Sequence, residues 1–194
     1  MHRTVLHEAA LANRRLHQLP VLPGVQHTAG RLAATTAEFE ALLDDFVVAF
    51  DPVISRVLQN IDEHGLHITG VFPTSDTAPE DREQFSYTTG LSERLGFELA
   101  LATMPYETAL WILNTAATLL KDTPAEGDRI EGVLGGGYTA RLHRCADTSR
   151  FAMTRRIYGS DPDRGVWQVL VPDAAGLFPD EPGYNHTGLP QPLY

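Results

Sequence analysis

Two short runs constrain the fold most: Gln84-Phe85-Ser86-Tyr87-Thr88-Thr89-Gly90-Leu91 and Trp167-Gln168-Val169-Leu170-Val171-Pro172-Asp173. Each is an apolar, β-branched or aromatic stretch that stops abruptly at a polar, turn-forming end. That pattern reads as a strand buried within a sheet, closed by Gly90 in one case and by Pro172 in the other.

The segments around them fill in the architecture. Val5, Leu6, Ala9, Ala12 and Leu16 recur at helical spacing until Pro20, Pro23 and Gly24 interrupt them. A second stripe, Phe39, Leu42, Leu43, Phe46, Val47 and Phe50, follows a capping pattern at Thr36. Asp51 is placed to cap a further helix with Pro52 at its first position, carried by Val53, Ile54, Val57, Leu58 and Ile61 and stopped at Gly65. The period then changes to two over residues 66–71, ending at Pro73. Further strands are expected over residues 85–89, 98–103 and 167–171, a helix from Pro105 onward, and another over residues 147–158. The stretches 130–134 and 138–143 flank Gly135-Gly136-Gly137 as a hairpin. The Pro-, Gly- and Asp-rich tail after Pro172 is expected to be irregular. With no regular βαβ rhythm, the reading is one α+β domain over residues 61–194: a mixed or antiparallel sheet with helices on one face, plus a helical extension over residues 1–60. An apolar stripe such as Phe39, Phe46 and Phe50 packs on the sheet or on a second subunit, and a homodimer is compatible with it.

The chain has 194 residues and a formal net charge of −10. An acidic surface repels phosphate, so neither nucleic acid nor an anionic membrane is an expected partner. A small molecule or a basic protein suits it better. Cys145 is the single cysteine, which rules out an intrachain disulfide. The first residues lack the apolar core of a signal peptide, and no run reaches the length of a membrane span. These features point to a cytoplasmic protein.

An ordered set of short motifs carries a resemblance: His64-Gly65, Tyr87-Thr88-Thr89-Gly90-Leu91, Glu98-Leu99, Leu113-Asn114, Gly127-Asp128, Gln168-Val169, Pro172-Asp173-Ala174-Ala175-Gly176 and Phe178-Pro179. From about Ile61 to its end the chain resembles the bacterial domain-of-unknown-function family 4262. The resemblance implies a fold but no activity. The chain departs from the family pattern at Leu66, where Trp is usual, at Gly96-Phe97 for His-Pro, at Val171 for Trp, and at Asp180 for Trp. If these positions line one pocket, the departures imply an altered or lost ligand.

Familiar chemistries are poorly supported. His64, His67, His143, Cys145 and His186 lack metal-ligand spacing, so neither metal nor cofactor is expected. Gly90-Leu91-Ser92-Glu93-Arg94 lacks the glycine after serine that a nucleophile elbow needs, and Ser92 reads as a turn or capping residue. The glycine run at 135–137 lacks the Lys-Ser/Thr of a phosphate loop. What remains is a polar strand-end cluster: Tyr87, Thr88, Thr89, Gly90, Glu98 and Asp173. It is a candidate ligand site, with Glu98 and Asp173 an acid–base pair if they meet. The competing reading has the same groups satisfying backbone donors. Two functions therefore stand. One is a binding or interaction module without catalysis, an immunity-like role toward a basic partner being one version. The other is a hydrolase or lyase of a small polar substrate with its site at this cluster.

Overall fold

A computed structural model describes residues 51–77 and 83–194. The two expected N-terminal helices and their apolar stripes lie outside these residues.

The first described element is helix α1 (Pro52–His64), formed as its end signals require. Asp51 Oδ1 accepts the Val53 N–H at 2.8 Å, and the Gly65 N–H, at φ 78°, donates to the Ile61 carbonyl at 2.8 Å. Ile54, Val57, Leu58 and Ile61 form its buried face and pack with Ile157. The second Asp51 carboxylate oxygen accepts from Arg156 at 2.7 Å, tying the start of α1 to a later helix. The expected division between residues 60 and 61 falls inside this helix.

Next come β1 (His67–Val71), β2 (Phe85–Thr89), a one-turn helix α2 (Ser92–Leu95) and β3 (Glu98–Ala102). Helix α3 (Tyr106–Leu119), β4 (Arg129–Ile130), β5 (Ala140–Arg144), α4 (Ala152–Tyr158) and β6 (Val166–Leu170) follow. The strands form one mixed sheet in the order β1-β2-β3-β6-β5-β4. Every neighbouring pair is antiparallel except β3 and β6, which run parallel with Glu98 beside Val166 and Ala100 beside Gln168.

All residues of β2, β3 and β6 are buried, so the sheet is covered on both faces rather than on the one face expected. The alternation in β3 separates the two cores. Leu99 and Leu101 join Trp167, Val169 and Leu142 beneath Ala109, Ile112, Leu113 and Ala116 of α3. Ala100 and Ala102 face the other way, where their small size leaves room for the rings of Phe85, Tyr87, Phe151 and Tyr194. These rings meet edge to face, Tyr87 with Phe151 at 5.2 Å and Phe85 with Tyr194 at 5.6 Å between centroids.

Three local expectations need correction. The helix expected over residues 147–158 begins only at Ala152, because Asp147 accepts the Ser149 N–H in a turn of its own. The hairpin exists, but β4 holds two residues; Val133 is fully buried and pins the following loop to the core instead of extending a strand. Ser92 opens α2, which is too short to show periodicity in sequence.

The tail has no helix or strand after Leu170, yet it is held tightly. Buried Gln168 donates to the Pro192 carbonyl at 2.7 Å and accepts the Tyr194 N–H at 3.1 Å. Gln191 accepts the Val171 N–H at 3.0 Å and donates to the Val171 carbonyl and the Tyr184 hydroxyl, both at 2.6 Å. In a proline-rich segment short of N–H donors, these side-chain amides replace a backbone ladder. Gln168→Leu keeps the volume but strips both tail bonds. It should lower stability by about 1–3 kcal/mol in urea unfolding; an unchanged midpoint would show that the tail contributes nothing.

Candidate functional site

The strand-end cluster is organised by Glu98. Between β2 and β3 the chain reverses through Gly90 and α2. Gly90 has φ 113°, and a Cβ there would come within 2.9 Å of Ile61, so the turn requires glycine. Glu98, the first residue of β3, folds its carboxylate beneath this turn. Oε1 accepts the N–H groups of Gly90 at 2.9 Å and Ser92 at 3.0 Å; Oε2 accepts the Leu91 N–H at 3.3 Å and the Thr88 hydroxyl at 2.6 Å. The Thr88 oxygen in turn accepts the Leu99 N–H at 2.8 Å. Glu98 has no exposed surface. Burial pushes its pKa above the usual carboxylate value, and the donors from Thr88, Ser92 and Gly90 oppose that shift without overcoming it.

Tyr87 and Thr89 serve the fold in the same way. The Tyr87 hydroxyl accepts the Met153 N–H at 3.0 Å, and the Thr89 and Thr154 hydroxyls lie 3.1 Å apart. Together they fasten the first turn of α4 to β2.

Asp173 stands elsewhere. Its Oδ1 accepts from Ala175 at 2.9 Å and Leu177 at 3.0 Å, and its Oδ2 from Asn185 at 2.9 Å. The amide of Leu177, with those of Asn185, Ala175 and Gly176, holds its pKa below the usual aspartate value. Because β3 and β6 are parallel, Glu98 sits at the start of the pair and Asp173 beyond its end at Leu170. At least roughly 13 Å of strand separates them. The structure joins Thr88 and Gly90 to Glu98, turns Tyr87 and Thr89 to α4, and leaves Asp173 apart, so the two carboxylates do not form an acid–base pair.

The metal candidates are also dispersed. His67 Nδ1 lies 2.8 Å from the Asn60 amide, His143 Nδ1 is 2.8 Å from Glu126, and the His186 ring meets Tyr184 edge-on. Burial pushes the Cys145 thiol up to about 12, which keeps it protonated and inert at neutral pH. Among the described residues no three His, Cys, Asp or Glu side chains are placed to hold a metal ion, and no helix is long and apolar enough to cross a membrane.

Two clefts lie at the carboxyl ends of β3 and β6. There Thr103 takes φ 61°, unusual for a β-branched residue, and is clamped on both sides. Its N–H donates to the Gln84 carbonyl at 2.7 Å, while the Gln84 side chain donates to the Met104 carbonyl at 2.7 Å. Thr103 lines a cleft of about 710 Å³ that includes Glu83, His186 and several prolines of the tail. Met104 lines a second cleft, of about 360 Å³, between α3 and the glycine-rich loop. Its other walls include Thr108, Trp111, Leu134, Tyr138 and Asp173. Trp111 is 52% exposed and Tyr138 44%. Both are large enough to belong in a core, and both stand open at the cleft. Tyr138 reaches it from the tri-glycine turn, where Gly136 and Gly137 have φ 70° and 79°. The sequence reading missed both residues. Trp111 was detectable, because it falls off the buried stripe Ala109, Ile112, Leu113, Ala116 of its own helix.

The family departures do not gather in one pocket. Leu66 and Phe97 pack with the core under α3, Val171 walls the smaller cleft, and Asp180 pairs with Arg141. Residues 60–185 match the family model described as Domain of unknown function (DUF4262). No curated protein and no solved structure matches the chain.

Glu98→Gln and Asp173→Asn should both destabilise, with opposite pH signatures. The raised Glu98 pKa contributes stability that is fully present below the ordinary glutamate value and lost as pH rises through its folded value. The gap between wild type and Glu98→Gln, about 1–3 kcal/mol, should therefore be widest in mild acid. The lowered Asp173 pKa contributes stability that is present above the ordinary aspartate value and lost as pH falls through its folded value. The Asp173→Asn gap should be widest at neutral pH and close in acid. Urea unfolding across a pH series reads both; a Glu98 gap independent of pH would contradict the shift caused by its burial, and an Asp173 gap independent of pH would contradict its bonding to the loop amides.

Proposed function

The chain belongs to the family of the domain of unknown function DUF4262, a family whose description assigns no activity, and from that footing we propose that it is a binding module without catalysis of its own. Its binding site is the cleft between α3 and the glycine-rich loop. The observation that carries this reading is the pair of half-exposed aromatics, Trp111 and Tyr138, on one cleft. Trp and Tyr in such positions are typical anchors of recognition surfaces, since they offer large contact area at small entropic cost.

The alternative, a hydrolase or lyase working through Tyr87, Thr88, Glu98 and Asp173, draws less support. Each of these side chains is engaged by the protein's own hydrogen-bonding groups, and the carboxylates stand at opposite ends of the parallel pair. A general acid or base needs a free lone pair or proton facing the substrate. The net charge of −10 favours a basic partner, as in an immunity-like role, through charge complementarity.

Trp111→Ser and Tyr138→Ser should leave unfolding within about 0.5 kcal/mol of wild type, because neither side chain is buried. Trp111 emission should respond saturably to at least one of phenol, tetramethylammonium or acetate, and Tyr138→Ser should weaken that response. No response to any of the three, or a response indifferent to Tyr138→Ser, would remove the cleft as a binding site.

A further inference from the structure

The chain twice builds the same three-part arrangement from its own residues: a guanidinium over an aromatic ring, paired with a carboxylate. Arg141 lies 4.2 Å from the centroid of the Phe178 ring and pairs with Asp180 and Glu181. Arg150 lies 5.4 Å from the Tyr194 ring and pairs with Glu83 at 2.5 Å. Guanidinium suits such sites because its flat, weakly hydrated face stacks on a ring while its edge donates to a carboxylate.

The cleft between α3 and the glycine-rich loop holds two of these parts and lacks the third. Trp111, Tyr138 and Asp173 are among the residues that line it, and no Arg, Lys or His of the described residues does. Asp173 gives its carboxylate oxygens to loop amides, which fixes its position but leaves its negative charge. A volume of about 360 Å³ admits one long side chain. The half-exposure of both rings marks a surface cleft of the kind a protein partner covers, and a chain of net charge −10 attracts a basic one.

Resting on the binding-module reading, we propose that this cleft receives an arginine side chain of a basic protein partner, its guanidinium lying against Trp111 and Tyr138 within the field of Asp173. Trp is the best ring for such a contact, and a cation approaching an acidic surface gains on-rate as well as affinity.

The test uses the full chain and the two indole N–H signals of its two tryptophans in a nitrogen-edited NMR spectrum. Trp167 is buried, with its indole donating to the Arg164 carbonyl at 3.1 Å, and serves as the internal control. The ligands are acetyl-Gly-Arg-Gly-amide, the same peptide with neutral citrulline in place of arginine, tetramethylammonium chloride, and phenol. The arginine peptide should shift the Trp111 signal at a concentration about tenfold or more below that required by the citrulline peptide, a preference of about 1.4 kcal/mol. The Trp167 signal should stay in place. Raising salt from low to high should weaken the arginine response several-fold, and Tyr138→Ser should weaken it at least threefold. Equal responses to arginine and citrulline, or a response to phenol alone, would overturn the arginine assignment and leave the binding module standing. Tetramethylammonium binding as tightly as the arginine peptide would assign the cleft to a small ammonium ligand and overturn the proposal. No response to any of the four, nor to acetate, would defeat both readings.

Discussion

A single buried carboxylate sets the geometry on which the rest of the sheet depends. Glu98 gathers the amides of Gly90, Leu91 and Ser92 and the hydroxyl of Thr88 onto its two oxygens. In doing so it satisfies the donors of a tight reversal that is closed off from water, where an unpaired N–H costs about 1–3 kcal/mol. The reversal fixes where β3 begins relative to β2. That register places Ala100 and Ala102 beneath the aromatic cluster and Leu99 and Leu101 beneath α3. The parallel partner β6 is aligned from the same residue, since Glu98 lies beside Val166. Both clefts lie at the far ends of these two strands. The carboxylate thus helps to position these two clefts from the other end of the strands.

Much of the fold was legible in the sequence because its signals are local. Asp51, Pro52 and Gly65 mark both ends of α1 by chemistry acting within a single turn. The extent of β2, Phe85–Thr89, follows from its composition and from Gly90. Elements whose bounds depend on distant contacts were less legible. Val133 reads as a strand residue, but the core under α3 takes it as a loop anchor. Asp147 to Phe151 precede a helix without entering it, because Asp147 bonds its own neighbourhood first. Coverage of both sheet faces was hidden too: Ala100 and Ala102 look unremarkable until the rings of Phe85, Phe151 and Tyr194 converge on them from three parts of the chain.

The site was legible in kind but not in role. Sequence grouped Tyr87, Thr88, Thr89, Gly90 and Glu98; Thr88 and Gly90 bond to Glu98, while Tyr87 and Thr89 bond to α4. A Thr hydroxyl or Glu carboxylate set to hold a ligand and one set to hold a backbone amide have the same sequence signature, and only the partner distinguishes them. Asp173 was grouped with them because both strands end in polar residues; strand direction, which sequence does not carry, places it at the opposite end. Trp111 and Tyr138 come from a helix and a loop that no local pattern links, and their shared cleft exists only once Val133 has pinned the loop.

The parallel seam between β3 and β6 also bears on how the chain folds. β1, β2 and β3 can pair successively as neighbours in sequence, and so can β4 and β5. These two ribbons do not touch in the finished order: β6, the last strand made, lies between them and bonds to both. Until it arrives, β3 and β5 each present an open edge with unpaired backbone groups, the condition under which strands recruit other chains. The β3–β6 pairing, Glu98 beside Val166, closes the longest loop between neighbouring strands of this sheet, and pairings of long range carry the largest closure cost. A nascent chain held short of residue 166 exposes two adhesive edges that the finished sheet pairs with β6.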